Sequence, residues 1–173
     1  FTSGLAELAG SQAYVEQCGL FLVWCADLYR LREASAVNDA PFCQNMESFI
    51  VATVDTALAA QNAAIAAESL GLGICYVGGI RNHPQAVSEL LQLPELTYPV
   101  FGMCVGVPDQ APAVRPRLPQ EAVYHQNAYD AERTRRHIEA YDAVMRPYYL
   151  ERTKGKVDTN WSQGMADKFR RPV

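Results

Sequence analysis

Arg115-Pro-Arg117-Leu-Pro119 holds two guanidinium groups on a stretch stiffened by prolines. Paired arginines in a fixed relation suit a phosphate or an anionic ring. A second unusual element is Gly78-Gly79, where missing side chains let backbone approach something flat and large. Arg81-Asn82 follows at once, at an expected helix start where an anion is favoured. Each has a plain alternative: a solvated loop for the arginine arm, and a simple strand-to-helix turn for the glycines.

The other reactive residues fall into no catalytic pattern. No Gly-x-Ser-x-Gly elbow occurs, and His83, His125 and His137 stand at no metal-ligand spacing, so surface or capping histidines are the expectation. Cys18, Cys25, Cys43, Cys75 and Cys104 include no Cys-x-x-Cys pair. An odd set without that spacing gives no zinc site and no disulfide framework, and points to free thiols in a cytoplasmic protein. Gly71 and Gly73 follow a helix and open a strand, the reverse of the order that a dinucleotide-binding loop requires.

The elements that must position these residues can be read in outline. Leu20 to Cys25 is an apolar run expected as a fully buried strand. Residues 34–44 read as a loop. Asn45 to Leu70, rich in Ala and free of Gly and Pro, predicts a long helix central in the molecule or at a subunit interface. Its apolar continuation from Phe49 to Ile80 is broken by Asp55, Gln61, Asn62 and Glu68, which argues against a membrane span. Gly71 and Gly73 are expected to end the helix. Ile74 to Val77 reads as a buried strand, and Asn82 as the cap of a helix reaching about Leu93 with Pro84 in its first turn. Tyr98 to Val107 predicts a third strand, Pro112 to Pro119 an irregular arm, Tyr129 to about Glu151 a second long helix, and Trp161 to Phe169 a short one. That mixture fits an α+β or three-layer α/β domain.

Charge is uneven along the chain. Its 173 residues carry a formal net charge of −4, which argues against nucleic acid or an anionic membrane as the main partner. Before residue 114 only Arg30, Arg32 and Arg81 oppose eleven acidic residues, and the remaining twelve basic residues all follow. A basic final third suits a local anion site; a solvated helical surface is the alternative.

Seven stretches in this order resemble the oxygen-insensitive NADPH nitroreductase and flavin reductase group of the nitroreductase superfamily. They are Leu8-Ala-Gly-Ser-Gln12, Val54 to Gly73, Tyr76-Val-Gly-Gly-Ile-Arg-Asn82, Phe101-Gly-Met-Cys-Val-Gly106, Arg115 to Pro119, Tyr148-Tyr-Leu-Glu-Arg152 and Asp158-Thr-Asn-Trp-Ser162. The resemblance implies an α+β fold over residues 1–173 as a single domain, with a mixed sheet flanked by helices, a long central helix, and an intertwined homodimer binding FMN at its interface. It implies that Gln12 contacts the flavin ring, that the backbone of Tyr76, Val77, Gly78 and Gly79 faces it, and that Arg115 lies near its N1–C2 edge. Arg117 would meet the FMN phosphate and Glu47 would stand beside the pocket. Arg81 and Arg152 would surround the nicotinamide and substrate, and Arg171 the NADPH 2′-phosphate. Arg133-Thr-Arg135-Arg136 matches nothing in the family and reads as a solvated face.

The chemistry implied is transfer of two electrons from NADPH, or NADH, through flavin N5 to a nitroaromatic, a quinone or free flavin by a ping-pong route. No side chain need then be an acid, a base or a metal ligand. The family's His-Arg-Ser-x-Arg motif and serine-rich stretch do not occur here, and the chain opens on Phe1. An N-terminal FMN-phosphate segment and a C-terminal extension are therefore expected to be lacking. A flavin-binding or sequestering module without turnover is the alternative.

Overall fold

The computed structural model describes residues 2–170. The chain divides into two compact units, Phe1–Ala111 and Pro112–Val173.

The first unit runs α1 (Thr2–Leu8), α2 (Ala13–Gln17), β1 (Leu20–Asp27), α3 (Tyr29–Ala36), α4 (Met46–Ser69), β2 (Gly73–Val77), a 3₁₀ turn (Gly78–Asn82), α5 (Pro84–Leu90) and β3 (Thr97–Gly106). The sheet order is β1-β3-β2. Both pairings are antiparallel, with Leu20 opposite Val105 and Cys75 opposite Cys104. The α+β class is as expected, but among the described residues the sheet is antiparallel rather than mixed.

Alternation along the strands separates two cores. Cys104 on β3, with Phe21 and Val23 on β1, packs into a cluster with Leu5, Ala6, Ala9, Val15, Ile80 and Val87. Met103 and Val105 point the other way, onto Ala64 and Ala67 of α4, with Leu22, Trp24 and Ile74 alongside. Neither flanking strand is fully buried: most of β1 is half-buried, and Cys75 and Tyr76 on β2 are exposed. The apolar runs suggested full burial because each strand has one well-covered face and one partly open one.

Local chemistry sets the ends of α4. Asn45 and Ser48 cap its start reciprocally: Ser48 N–H donates to Asn45 Oδ1 at 2.8 Å and Asn45 N–H to Ser48 Oγ at 3.2 Å. This satisfies two otherwise orphan donors. At the other end Gly71 takes φ +78°. Its N–H donates to Glu68 O at 3.0 Å, and Leu72 N–H donates to Ala67 O at 3.0 Å, the Schellman arrangement. Gly73 plays no part in that stop; it is the first residue of β2.

The buried stripe of α4 is Ala52, Thr56, Ala60, Ala64 and Ala67, small residues that let helix and sheet lie close. Thr56 satisfies its hydroxyl by donating within reach of Cys25 O (3.1 Å) and Ala52 O (2.8 Å). By length and composition α4 is apolar enough to cross a membrane, so its polar interruptions do not exclude a span as the sequence reading held. Its other side exposes Ile50, Val54, Leu58 and Ile65.

β3 contains Pro99, which has no N–H to give a neighbouring strand. The register shifts there: Trp24 faces Phe101 while Cys25 faces Pro99, leaving Val100 as the extra residue of a bulge. Asn82 ends the 3₁₀ turn, and His83 rather than Asn82 precedes α5, without a side-chain cap.

The second unit contains α6 (Gln120–Val123), α7 (Ala131–Arg152) and α8 (Trp161–Phe169) after an irregular arm. Asp130 and Asn160 cap α7 and α8, accepting from Arg133 N–H (2.8 Å) and Gln163 N–H (2.9 Å). Asp142 accepts from the N–H of Ser162 at 2.8 Å and from its hydroxyl. Arg146 grips Asp158 with two bonds of 2.6 and 2.8 Å.

Candidate functional site

Three segments of the first unit converge at the end of β2. The turn after α1 is one. There Gln12 donates from Nε2 to Ala9 O at 2.9 Å, and its Oε1 accepts from the Tyr14 hydroxyl. Both ends of the amide are thus held, which fixes its plane. The second segment is the 3₁₀ turn, which meets the first through Gly79. A Cβ at Gly79 would lie 2.2 Å from Ala9 O and 2.9 Å from its carbonyl carbon. The glycine is needed there for backbone-to-backbone contact between the turns, a reason the sequence does not disclose. A Cβ at Gly10 would lie 3.7 Å from Asn82 Nδ2 and 3.9 Å from Gln12 Nε2, so the two amides flank one glycine.

The third segment is α4. Between it and the sheet lies a cleft of about 360 Å³ lined by Ala57, Gln61, Tyr76, Gly78, Arg81 and Phe101. Tyr76 and Phe101 meet edge to face at 5.5 Å and 83°, and the Tyr76 hydroxyl donates to Gln61 Oε1 at 3.3 Å. Arg81 supplies the positive charge. Its Nη1 donates to Val100 O at 2.6 Å, the carbonyl of the residue that the bulge leaves without a β1 partner. The bulge forced by Pro99 thus frees the acceptor that anchors Arg81, a use bulges commonly serve beside functional sites. Gly78 keeps the floor open: a Cβ there would come within 3.2 Å of Arg81 Nη2. Val77 is buried and offers only its backbone.

Aromatic edges, the Gln61 amide, a cation and a glycine floor suit a flat heteroaromatic ring with anionic character. The volume is within the range of small-molecule sites, and among the described residues no group of His, Cys, Asp and Glu could hold a metal. Tyr14, which braces Gln12, has its phenol pushed above the usual value by burial and then by Cys75 and Cys104; it therefore stays a neutral donor at physiological pH.

Glu47 is not among the residues that line the cleft. Glu47 stands in the first turn of α4 and is exposed, about 15 Å along the helix from Ala57 at the usual rise per residue. Arg115, Arg117 and Arg152 belong to the second unit and are exposed. Arg115 and Arg117 flank Pro116, whose carbonyl accepts from the Tyr141 hydroxyl at 3.1 Å, so the arm is pinned between them. Arg152 closes α7. Arg171 lies outside the described residues.

One reading of the basic run needs correction. Arg133 is no solvated charge: its guanidinium donates to Tyr124 O at 3.0 Å and contacts His125 Nδ1 at 2.9 Å. Only Arg135 and Arg136 are exposed. Sequence reasoning also gave no role to Gln61 and Phe101. Gln61 did leave a signal, as a polar break in an apolar helix.

Residues 8–107 match the Nitroreductase family, and residues 115–173 match the Nitroreductase family C-terminal domain. Among curated relatives, the FMN reductase (NADPH) of Bacillus subtilis is 48% identical over 163 residues, covering 91% of this chain and 66% of the relative. The chain thus spans about two thirds of that relative's length. Among solved structures, the NfrA1 nitroreductase from B. subtilis superposes with a TM-score of 0.90 at 44% identity, covering 98% of this chain and 71% of that one. The NADPH:FMN oxidoreductase from Vibrio harveyi, complexed with NAD+, gives 0.85 at 40% identity, covering 99% and 69%.

Proposed function

The chain belongs to the nitroreductase family, and we propose that it is an FMN-dependent oxidoreductase that takes two electrons from NAD(P)H. The acceptors are small molecules such as nitroaromatics, quinones or free flavin. The observation that carries this is the cleft at the end of β2, where Tyr76, Phe101, Gln61 and Arg81 surround a glycine floor. The relatives' names, FMN reductase and NADPH:FMN oxidoreductase, support the same cofactors.

FMN, when bound, supplies the hydride-accepting and hydride-donating chemistry. The chain's own residues position and tune. Gln12, braced by Ala9 and Tyr14, offers an amide to the ring edge. The backbone of Tyr76, Val77, Gly78 and Gly79 forms the platform. Arg115 places positive charge near the N1–C2 edge, which favours an anionic ring, and Arg117 takes the phosphate. Arg81 and Arg152 serve the nicotinamide and acceptor, and Arg171 the 2′-phosphate that would favour NADPH over NADH.

Glu47 fits this scheme only in a homodimer, where a second copy brings its α4 start to a site the first copy builds. The exposed apolar side of α4, with Ile50, Val54, Leu58 and Ile65, supports such pairing; burial between copies is a better use of it than a bilayer. Solved relatives that extend over both units in one chain support residues 1–173 working as one domain. Free thiols at all five cysteines support a reducing, cytoplasmic setting.

Steady-state rates test the scheme. NADPH varied at several fixed acceptor concentrations should give parallel double-reciprocal lines, as two half-reactions at one site require. Intersecting lines would contradict the ping-pong route.

A further inference from the structure

Three of the five cysteines gather on one face of the sheet, behind the turn that carries Gln12. Cys104 lies on the central strand and is buried. Cys75 stands directly across from it on the edge strand and is exposed. Cys18 follows the last residue of α2 and is half-buried. Its Sγ donates to Val15 O at 3.3 Å, while Cys104 Sγ donates to Tyr14 O at 3.7 Å. Two thiols that reach adjacent carbonyls of one short helix are near neighbours, and they pack in the same apolar cluster. Cys75 Sγ turns instead to Tyr76 O at 3.8 Å. Nothing in the proposed electron transfer uses these groups.

We propose that Cys18 and Cys104 are a peroxide-sensitive thiol pair that closes into a disulfide and ties the end of α2 to the central strand. Hydrogen peroxide takes the half-buried Cys18 sulfur to a sulfenic acid. Cys104 Sγ then attacks that sulfur; the S–S bond forms, the S–O bond breaks, and water leaves. Two thiols lose two electrons and two protons, and one peroxide becomes two waters. Burial, and then the neighbouring Cys18 thiol, push the Cys104 thiol up to about 12. Buried where Cys18 is half-buried, Cys104 serves as the resolving partner rather than the first target, and closure speeds up as pH rises because the thiolate is the nucleophile. Reduced flavin meeting dioxygen is a local source of peroxide, a point that rests on the proposed function; the thiol chemistry does not. Because α2 carries Tyr14, the clamp on Gln12, the bond joins the oxidation state of the pair to the turn beside the cleft.

The test is peptide mapping of the folded holoenzyme, treated with hydrogen peroxide, alkylated under denaturing conditions and digested without reductant. Wild type should lose two of its five alkylatable thiols and yield a Cys18–Cys104 linked peptide that dithiothreitol removes. Cys75→Ser should yield the same linked peptide, and Cys18→Ser should not. Cys104 linked to Cys75, or Cys18 recovered alkylated or as sulfinic acid in the wild type, would overturn the proposal. The map is read without turnover, so its failure leaves the flavin assignment untouched.

Discussion

Residues Phe1–Ala111 are organised around a sheet covered on both faces, with three separate clusters of buried side chains. Pro112–Val173 buries only Tyr141 and Met145 among the described residues of α6, α7 and α8. Its order comes instead from polar clasps: Asp142 on Ser162, Arg146 on Asp158, and the Asp130 and Asn160 caps. The difference shows where precision is built. The first unit fixes its cleft by close packing of backbone and small residues, so it should respond steeply to added volume. The second holds its arginines on hydrogen bonds, so it should respond to lost acceptors and to acid.

The strongest test of that contrast is Gly79→Ala. A methyl 2.2 Å from Ala9 O meets backbone that cannot step aside, and the expected loss is about 3 kcal/mol in urea unfolding. A loss below about 1 kcal/mol would mean that the two turns are not pressed together as described. Asp142→Ala comes next. Removing a charged acceptor for two donors of Ser162 should cost about 2 kcal/mol. Amide exchange should accelerate in α7 and α8 while β1 to β3 stay protected; equal acceleration in both units would erase the distinction.

Arg117→Ala should leave the unfolding midpoint unchanged and weaken FMN binding roughly tenfold, the loss of one charge-assisted phosphate contact. Fluorescence titration with FMN measures it, and unchanged affinity would remove Arg117 from the site. The smallest effect is a pH response. Arg146, through its hydrogen bonds, holds the Asp158 carboxyl below the usual carboxylate range, and the Arg133 N–H does the same for Asp130. With folded values depressed, these contributions are fully present above the unfolded value of about 3.9 and are lost as pH falls through the folded ones. Amide exchange at the starts of α7 and α8 should therefore quicken in acid, and Arg146→Ala should remove the part due to Asp158. A response that survives Arg146→Ala at α8 would contradict the assignment.

Much of the frame was legible in the sequence because strong local signals wrote it. Asn45 and Gly71 bracket α4, and the α8 limits, Trp161–Phe169, match the reading. The short helices α1, α2 and α6 went unread, having too few turns to show a period. So did α3, which takes in residues 34–36 of the expected loop. Tertiary causes were also hidden. Gly79 is required by Ala9, far away in sequence, and Arg81 is aimed by a bulge that Pro99 imposes on β3. Arg133 looked like solvated charge because its partners, Tyr124 O and His125, belong to the segment before α7. The candidate site was legible as a set of arginines and glycines; the contacts that fix Gln12 in its turn and set Gln61 and Phe101 around the cleft were not.

The central claim is that this chain is a flavoprotein reduced by NADPH, and the visible absorption spectrum of the purified protein, reconstituted with FMN, tests it most directly. A yellow protein that bleaches on anaerobic addition of NADPH and recovers its colour with a nitroaromatic or a quinone is the result predicted. A protein that stays colourless after FMN is added and the excess removed, or one that holds FMN but does not bleach, would contradict it.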